Sequence, residues 1–125
     1  MAKKQDRSNR QLKLGENIRH ALANLFLRGT FLHPDSDKEI NILIPEVRVS
    51  PDARNVTAFY LPMNGQLEEA EAEKLENILN DMQRQVQHEL GKEIYMKYIP
   101  RIHFKRDVTI DNATRINDLL HEEEF

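Results

Sequence analysis

The chain has 125 residues, a formal net charge of −3 and no cysteine. That length suits one domain with a modest core. No apolar run approaches the ~20 residues of a membrane-spanning helix, and without thiols there are no disulfides or thiolate metal sites. Residues 1–10 are charged and no apolar segment follows, so no signal peptide is expected and the chain reads as cytoplasmic.

The net charge conceals a segregated distribution. Residues 1–29 carry +5, residues 30–90 carry −7, residues 91–108 carry +3 and residues 109–125 carry −4. Such a chain presents a basic surface if its first helix and its last strand meet in space. The plain alternative is that each charged run is a solvated face.

The first helix is predicted over about residues 8–28. Ser8-Asn9-Arg10-Gln11 has the capping-box pattern. Leu14, Ile18, Ala21, Leu22 and Leu25 recur at helical spacing and form one apolar stripe. Lys13, Asn17 and His20 form a polar stripe beside it, with Arg10 at its edge. Gly29 suits the position that ends the helix. A polar loop with Pro34 follows.

Two strands come next. In the first, Ile40, Ile42 and Ile44 alternate, and then the phase shifts to Val47 and Val49. Pro45 stands at the shift and cannot donate to a ladder, so a bulge or an edge position is expected there. The second strand is predicted over residues 56–61. Ser50-Pro51-Asp52 makes the turn between them, since Pro51 presets φ and Ser50 and Asp52 can bond nearby backbone N–H groups.

A long helix is predicted over residues 67–90. Glu68, Glu69, Glu71 and Glu73 crowd its start, where the macrodipole favours negative charge. Leu75, Ile78, Leu79, Met82, Val86 and Leu90 make its apolar stripe, and Gly91 is the expected cap. The last strand is predicted over residues 94–108. Its alternation puts Ile94, Met96, Tyr98, Ile102 and Phe104 on a core face, and Tyr95, Lys97, Ile99, Arg101, His103 and Lys105 on the other. Cations interleaved with rings suit phosphate contacts and stacking on RNA, and a solvated outer sheet face gives the same pattern. In residues 109–125, Ile116, Leu119 and Leu120 sit at helical spacing ahead of an acidic end. The expectation is a domain over residues 1–108 and a tail over residues 109–125 that is a short helix or disordered.

Catalytic signals are missing. Gly15, Gly29, Gly65 and Gly91 are isolated and form no phosphate loop. His20, His33, His88, His103 and His121 are scattered with no nucleophile or metal partner. The glutamates that open the second helix have no histidine at ligand spacing. No enzyme, metal or cofactor is expected.

The order and spacing of several segments carry a family resemblance. They are Arg7-Ser8-Asn9-Arg10, Gly15-Glu16-Asn17-Ile18-Arg19-His20-Ala21-Leu22, Glu46-Val47-Arg48-Val49-Ser50-Pro51-Asp52, and Ile99-Pro100-Arg101-Ile102-His103-Phe104 followed by Asp107. The closing Ala113-Thr114-Arg115-Ile116-Asn117-Asp118-Leu119-Leu120 completes the set. From residue 7 to residue 120 the chain resembles the ribosome-binding factor A family. The resemblance implies an α+β, KH-like (type II) domain, α-β-β-α(kinked)-β, with helices on one face of a three-stranded sheet. It further implies a non-catalytic maturation factor for the free or immature 30S subunit, bound to 16S rRNA near the neck and 5′ end, and monomeric in solution. The basic elements that flank one sheet in such a fold make Arg7, Arg10, Lys13, Lys97, Arg101 and Lys105 the expected phosphate contacts. A protein–protein adaptor using the acidic helix and tail is the alternative.

The chain departs from that family in one segment. The family commonly has an Ala-x-Gly kink between two helices where this chain has Met82-Gln83-Arg84, and Gln87 replaces a common arginine. Arg84 carries a Cβ, so the expectation is a straighter helix or a kink moved to Asn80-Asp81. The Gly-x-x-Gly loop of other KH domains is also absent, so no sequence-specific reading of a single strand is expected.

Overall fold

The computed structural model describes residues 9–63 and 69–107. Helix α1 (Asn9–Leu27) buries Gly15, Ile18, Ala21, Leu22, Leu25 and Phe26, the stripe expected from its periodicity. Its end is a Schellman motif: the Gly29 N–H donates to the Phe26 carbonyl and the Thr30 N–H to the Leu25 carbonyl, each at 3.2 Å. Gly29 has φ +73°, which a side chain resists, and a Cβ there would stand 2.4 Å from the Glu39 carboxyl carbon. Ser8 lies outside the described residues. The Gln11 amide, read as half of a capping box, donates to the Ser50 carbonyl at 3.2 Å.

Strands β1 (Ile42–Val49), β2 (Asn55–Pro62) and β3 (Arg101–Arg106) form one sheet in that order. β1 and β2 are antiparallel, and β2 and β3 are parallel. A parallel pair needs a crossover, which α2 (Glu69–Asp81) and α3 (Gln83–Glu93) supply. The expected bulge is present. Between the pairs Leu43–Leu61 and Glu46–Phe59, Ile44 and Pro45 oppose Tyr60 alone. This moves the buried face of β1 from Ile42 and Ile44 to Val49.

The β1–β2 turn is built as its residues suggest. The Ser50 hydroxyl donates to the Asp52 carboxylate at 2.6 Å, and the Arg54 N–H donates to the same oxygen at 3.1 Å. These two bonds, the first being the stronger, hold the Asp52 carboxyl below its ordinary range. Because its titration is lowered on folding, the stabilisation is fully present above the ordinary carboxylate range and is lost as pH falls through the lowered value. Asp52→Ala is therefore expected to lower the urea midpoint at pH 7, and the gap from the parent should close on acidification. Ala53 follows at φ 59°. A residue with a Cβ is strained there, so Ala53→Gly should raise stability by about 0.5–1 kcal/mol in the same urea titration.

The long helix expected over residues 67–90 is two helices. The break is at Met82, with φ −93° and ψ 20°, one residue beyond the Asn80-Asp81 position considered from the sequence. That backbone conformation is open to any residue, so the bend needs no glycine. Gly91 is not the cap. α3 continues to Glu93 and closes with the Ile94 N–H on the Leu90 carbonyl at 3.0 Å.

The last strand is shorter than expected, six residues rather than the whole of residues 94–108. Pro100 is buried just before it and brings no N–H to a ladder. Ile94 caps α3, and the Gln87 amide takes the carbonyls of Ile99 and Pro100. The assumed faces break down with the strand. Tyr98, placed in the core by alternation, is 75% exposed, while Ile99, placed outside, packs against the core. The tail helix expected through Ile116, Leu119 and Leu120 lies outside the described residues.

One core joins these elements. Ile18, Leu22, Leu25 and Phe26 of α1 meet Leu75, Leu79, Val86 and Leu90 of α2–α3 over Val56, Ala58, Tyr60, Ile102 and Phe104 of the sheet. The described helices thus all cover one face, and no described element covers the other.

β3 is an edge strand, and its outer side is closed by side chains. Arg101 and Asp107 turn their N–H groups inward, to the carbonyls of Arg54, just before β2, and of Tyr60 in β2, each at 3.0 Å. The alternate residues face outward, toward α2–α3. Asn80 accepts from the Phe104 N–H at 2.8 Å and donates to the Phe104 carbonyl at 3.1 Å. Gln83 accepts from the Ile102 N–H at 3.0 Å and donates to the Ile102 carbonyl. Glu76 accepts from the Arg106 N–H at 3.2 Å and, on the same oxygen, from the buried Tyr60 hydroxyl. Burial first, and the Glu76 charge second, push the Tyr60 phenol up. With Gln87, these four residues share one helix flank and act as a substitute fourth strand.

Candidate nucleic-acid interface

The uncovered sheet face is ordered by register into four rows. Asn55 lies beside Arg101. Arg48, Thr57 and His103 form the next row, Glu46, Phe59 and Lys105 the third, and Leu43 and Leu61 the fourth. Neighbours in a row are about 4.8 Å apart, and Arg101 and Lys105 are about 13 Å apart along β3. Arg48 sits 5.3 Å above the Phe59 ring and pairs with Glu46 at 2.8 Å. His103 lies 3.4 Å from the Asn55 side-chain oxygen. Thr57, Phe59 and Leu61 are half-buried on this face, and Arg48, Arg101, Lys105 and Glu46 stand exposed around them.

The starts of the two basic segments, in α1 and β3, lie at one end of this sheet. Gln11 ties the start of α1 to Ser50, and Arg101 bonds Arg54 through its backbone. The starts of α1 and β3 thus lie at the same end of the sheet, where Arg10, Arg54 and Arg101 are all exposed. Lys13 follows a turn further along α1, also exposed. Lys105 lies toward the other end of β3, on the same open face as Arg101. Lys97 is not on the sheet. It stands in the loop before β3, 5.5 Å from the Tyr98 ring centre. Arg7 lies outside the described residues.

Arg48 on the sheet face and Arg54 in the turn before β2 add two exposed cations, and neither was among the expected phosphate-binding residues. Their signal was present but unreadable alone. Arg48 alternates with Val47 and Val49, and Arg54 lies in the β1–β2 turn, yet only the assembled sheet puts Arg48 in the row of Thr57 and His103 and the Arg101 N–H on the Arg54 carbonyl.

The opposite end has a different character. A cleft of about 410 Å³ is bounded by His33, Asp35, Glu39, Ile40, Lys74 and Leu75. Its lysine is engaged with Asp35 at 3.4 Å. Among the described residues no group of three or more His, Cys, Asp or Glu side chains could hold a metal ion, and no helix is long and apolar enough to cross a membrane.

This arrangement has relatives. A ribosome-binding factor A of Methylobacterium sp. (strain 4-46) is 36% identical over 116 residues, covering 93% of this chain and 80% of its own length. The crystal structure of ribosome-binding factor A from Thermus thermophilus superposes with a TM-score of 0.58 at 19% identity, over 77% of this chain and 94% of that one. A Thermus thermophilus RbfA homology model, fitted into a cryo-EM map of a 30S–RbfA complex, superposes with a TM-score of 0.55 at 18% identity, over 73% of this chain and 88% of that one. The structures share the fold, and the sequence likeness carries the kinship. The family model for ribosome-binding factor A matches residues 10–120, which spans every described helix and strand but the first residue of α1. The chain belongs to the ribosome-binding factor A family.

Proposed function

We propose that this protein is a KH-like, non-catalytic assembly factor that binds the free or immature 30S subunit through 16S rRNA. It supports late folding and processing near the rRNA 5′ end and leaves the mature particle. The observation that carries this reading is that the starts of α1 and β3, the two basic segments, lie at one end of the sheet, one face of which no described element covers. A rigid face of this kind holds an RNA conformation by phosphate contacts and shape. The relative fitted into a 30S–RbfA complex supports the same partner. In this reading Arg7, Arg10, Lys13, Lys97, Arg101 and Lys105 supply phosphate contacts, joined by Arg48 and Arg54. The protein acts in the cytoplasm as a monomer, through a domain of residues 1–108, with the tail of residues 109–125 adding affinity.

Co-sedimentation with small subunits and with whole ribosomes, across a salt series, tests it. Binding to free small subunits should exceed binding to whole ribosomes and should fall steeply with salt. Salt-independent binding would instead favour an adaptor that contacts ribosomal protein.

A further inference from the structure

The loop joining α3 to β3, residues 94–100, is held at both ends and turned outward between them. At its start Ile94 bonds Leu90 and packs against the core. At its end the Gln87 amide donates to the carbonyls of Ile99 at 3.1 Å and Pro100 at 3.0 Å. Ile99 packs on the core and Pro100 is buried. Between these anchors Tyr95 is 104% exposed and Tyr98 75%. The remaining tyrosine, Tyr60, shows what a structural tyrosine does in this fold: it is buried and its hydroxyl is bonded to Glu76.

We propose that Tyr95 and Tyr98 are stacking platforms for unpaired RNA bases. The inference rests on the RNA-binding reading above and names the part of the RNA that this loop takes. The cations are in place for the phosphates of the same strand: Lys97 over the Tyr98 ring, and Arg101 next after Pro100. A protein-binding tyrosine typically sits within an apolar patch. Here the loop's aliphatic anchors, Ile94 and Ile99, pack against the core and leave the two rings exposed, with Lys97 over Tyr98. Stacking accepts any base, because every base has a π-face. That matches a chain without a Gly-x-x-Gly loop. Pinning by Gln87 also limits the ordering cost when a strand binds.

The chain has three tyrosines and no tryptophan, so its emission comes from tyrosine alone. The test titrates full-length protein with a single-stranded oligouridine of about ten nucleotides, a length within the range that such platforms cover, and with an RNA duplex of equal length. The single strand should quench the emission of the exposed tyrosines, and the duplex should leave most of it. Anisotropy of the labelled oligouridine should show Y95F/Y98F binding like the parent. Y95A/Y98A should weaken binding about tenfold for each ring removed. Its salt slope should be unchanged, because no cation was removed. Both rings are exposed, so these variants should fold, which circular dichroism checks. Y95A/Y98A binding as tightly as the parent, while the parent still sediments with small subunits, would overturn the stacking role and leave the proposed function standing. A parent that binds neither oligouridine nor subunits at low salt would overturn both.

Discussion

Asn80→Leu is expected to lower the free energy of unfolding by about 2–4 kcal/mol, a large effect for a residue outside the apolar core. The substitution keeps the volume and removes both bonds to Phe104. It leaves an N–H and a carbonyl of an edge strand facing a helix, where water enters poorly. Gln83→Leu should do the same to Ile102. Gln85→Leu is the control: Gln85 is exposed on α3, and the change there should stay within about 0.5 kcal/mol. Urea denaturation measures all three. A second consequence separates edge closure from simple stability. Once its amide partners are gone, β3 presents a row of unpaired groups to other chains. Sedimentation velocity of the Asn80→Leu/Gln83→Leu protein should show concentration-dependent association that the parent lacks. A monomeric double variant of unaltered stability would show that the α2–α3 amides do not close this edge.

The second large effect concerns charge. Arg54→Glu/Arg101→Glu reverses two exposed cations at the end of the sheet where the Arg101 N–H bonds the Arg54 carbonyl. Neither side chain is buried, so the fold should survive. Affinity for small subunits should fall more than tenfold at ~0.1 M salt, and the slope of log affinity against log salt should shrink by about 1 for each phosphate no longer neutralised. Reversing Lys74, which pairs with Asp35 at the acidic end, should leave the slope unchanged. Retention of the full slope in the double variant, with its circular dichroism intact, would remove the Arg54–Arg101 end from the interface.

The sequence by itself determined the parts that local chemistry controls. Helical spacing over Ile18, Leu22 and Leu25, with Gly29 to follow, was enough for α1 and its end, because periodicity and a left-handed cap are properties of neighbouring residues. Pro45 and the phase shift around it were enough for a bulge or an edge position, and β1 has both, since a missing N–H and a shifted period of two are properties of the strand itself. The family motifs and the segregated charge were legible as well. Tertiary structure alone decided what depends on partners distant in the chain. Alternation carried the last strand back to Ile94, but pairing with β2 begins only at Arg101, and Pro100 and the Gln87 amide hold the preceding backbone elsewhere. For the same reason Tyr98 left the core and Ile99 entered it. Glu76, Asn80, Gln83 and Gln87 read as polar interruptions of a helix until β3 lay beside them, because an amide side chain declares its purpose only through the backbone it satisfies. Likewise Arg54 is an unremarkable turn residue in sequence. It became part of a basic end through the pairing of β2 with β3, which brings the Arg101 N–H onto its carbonyl.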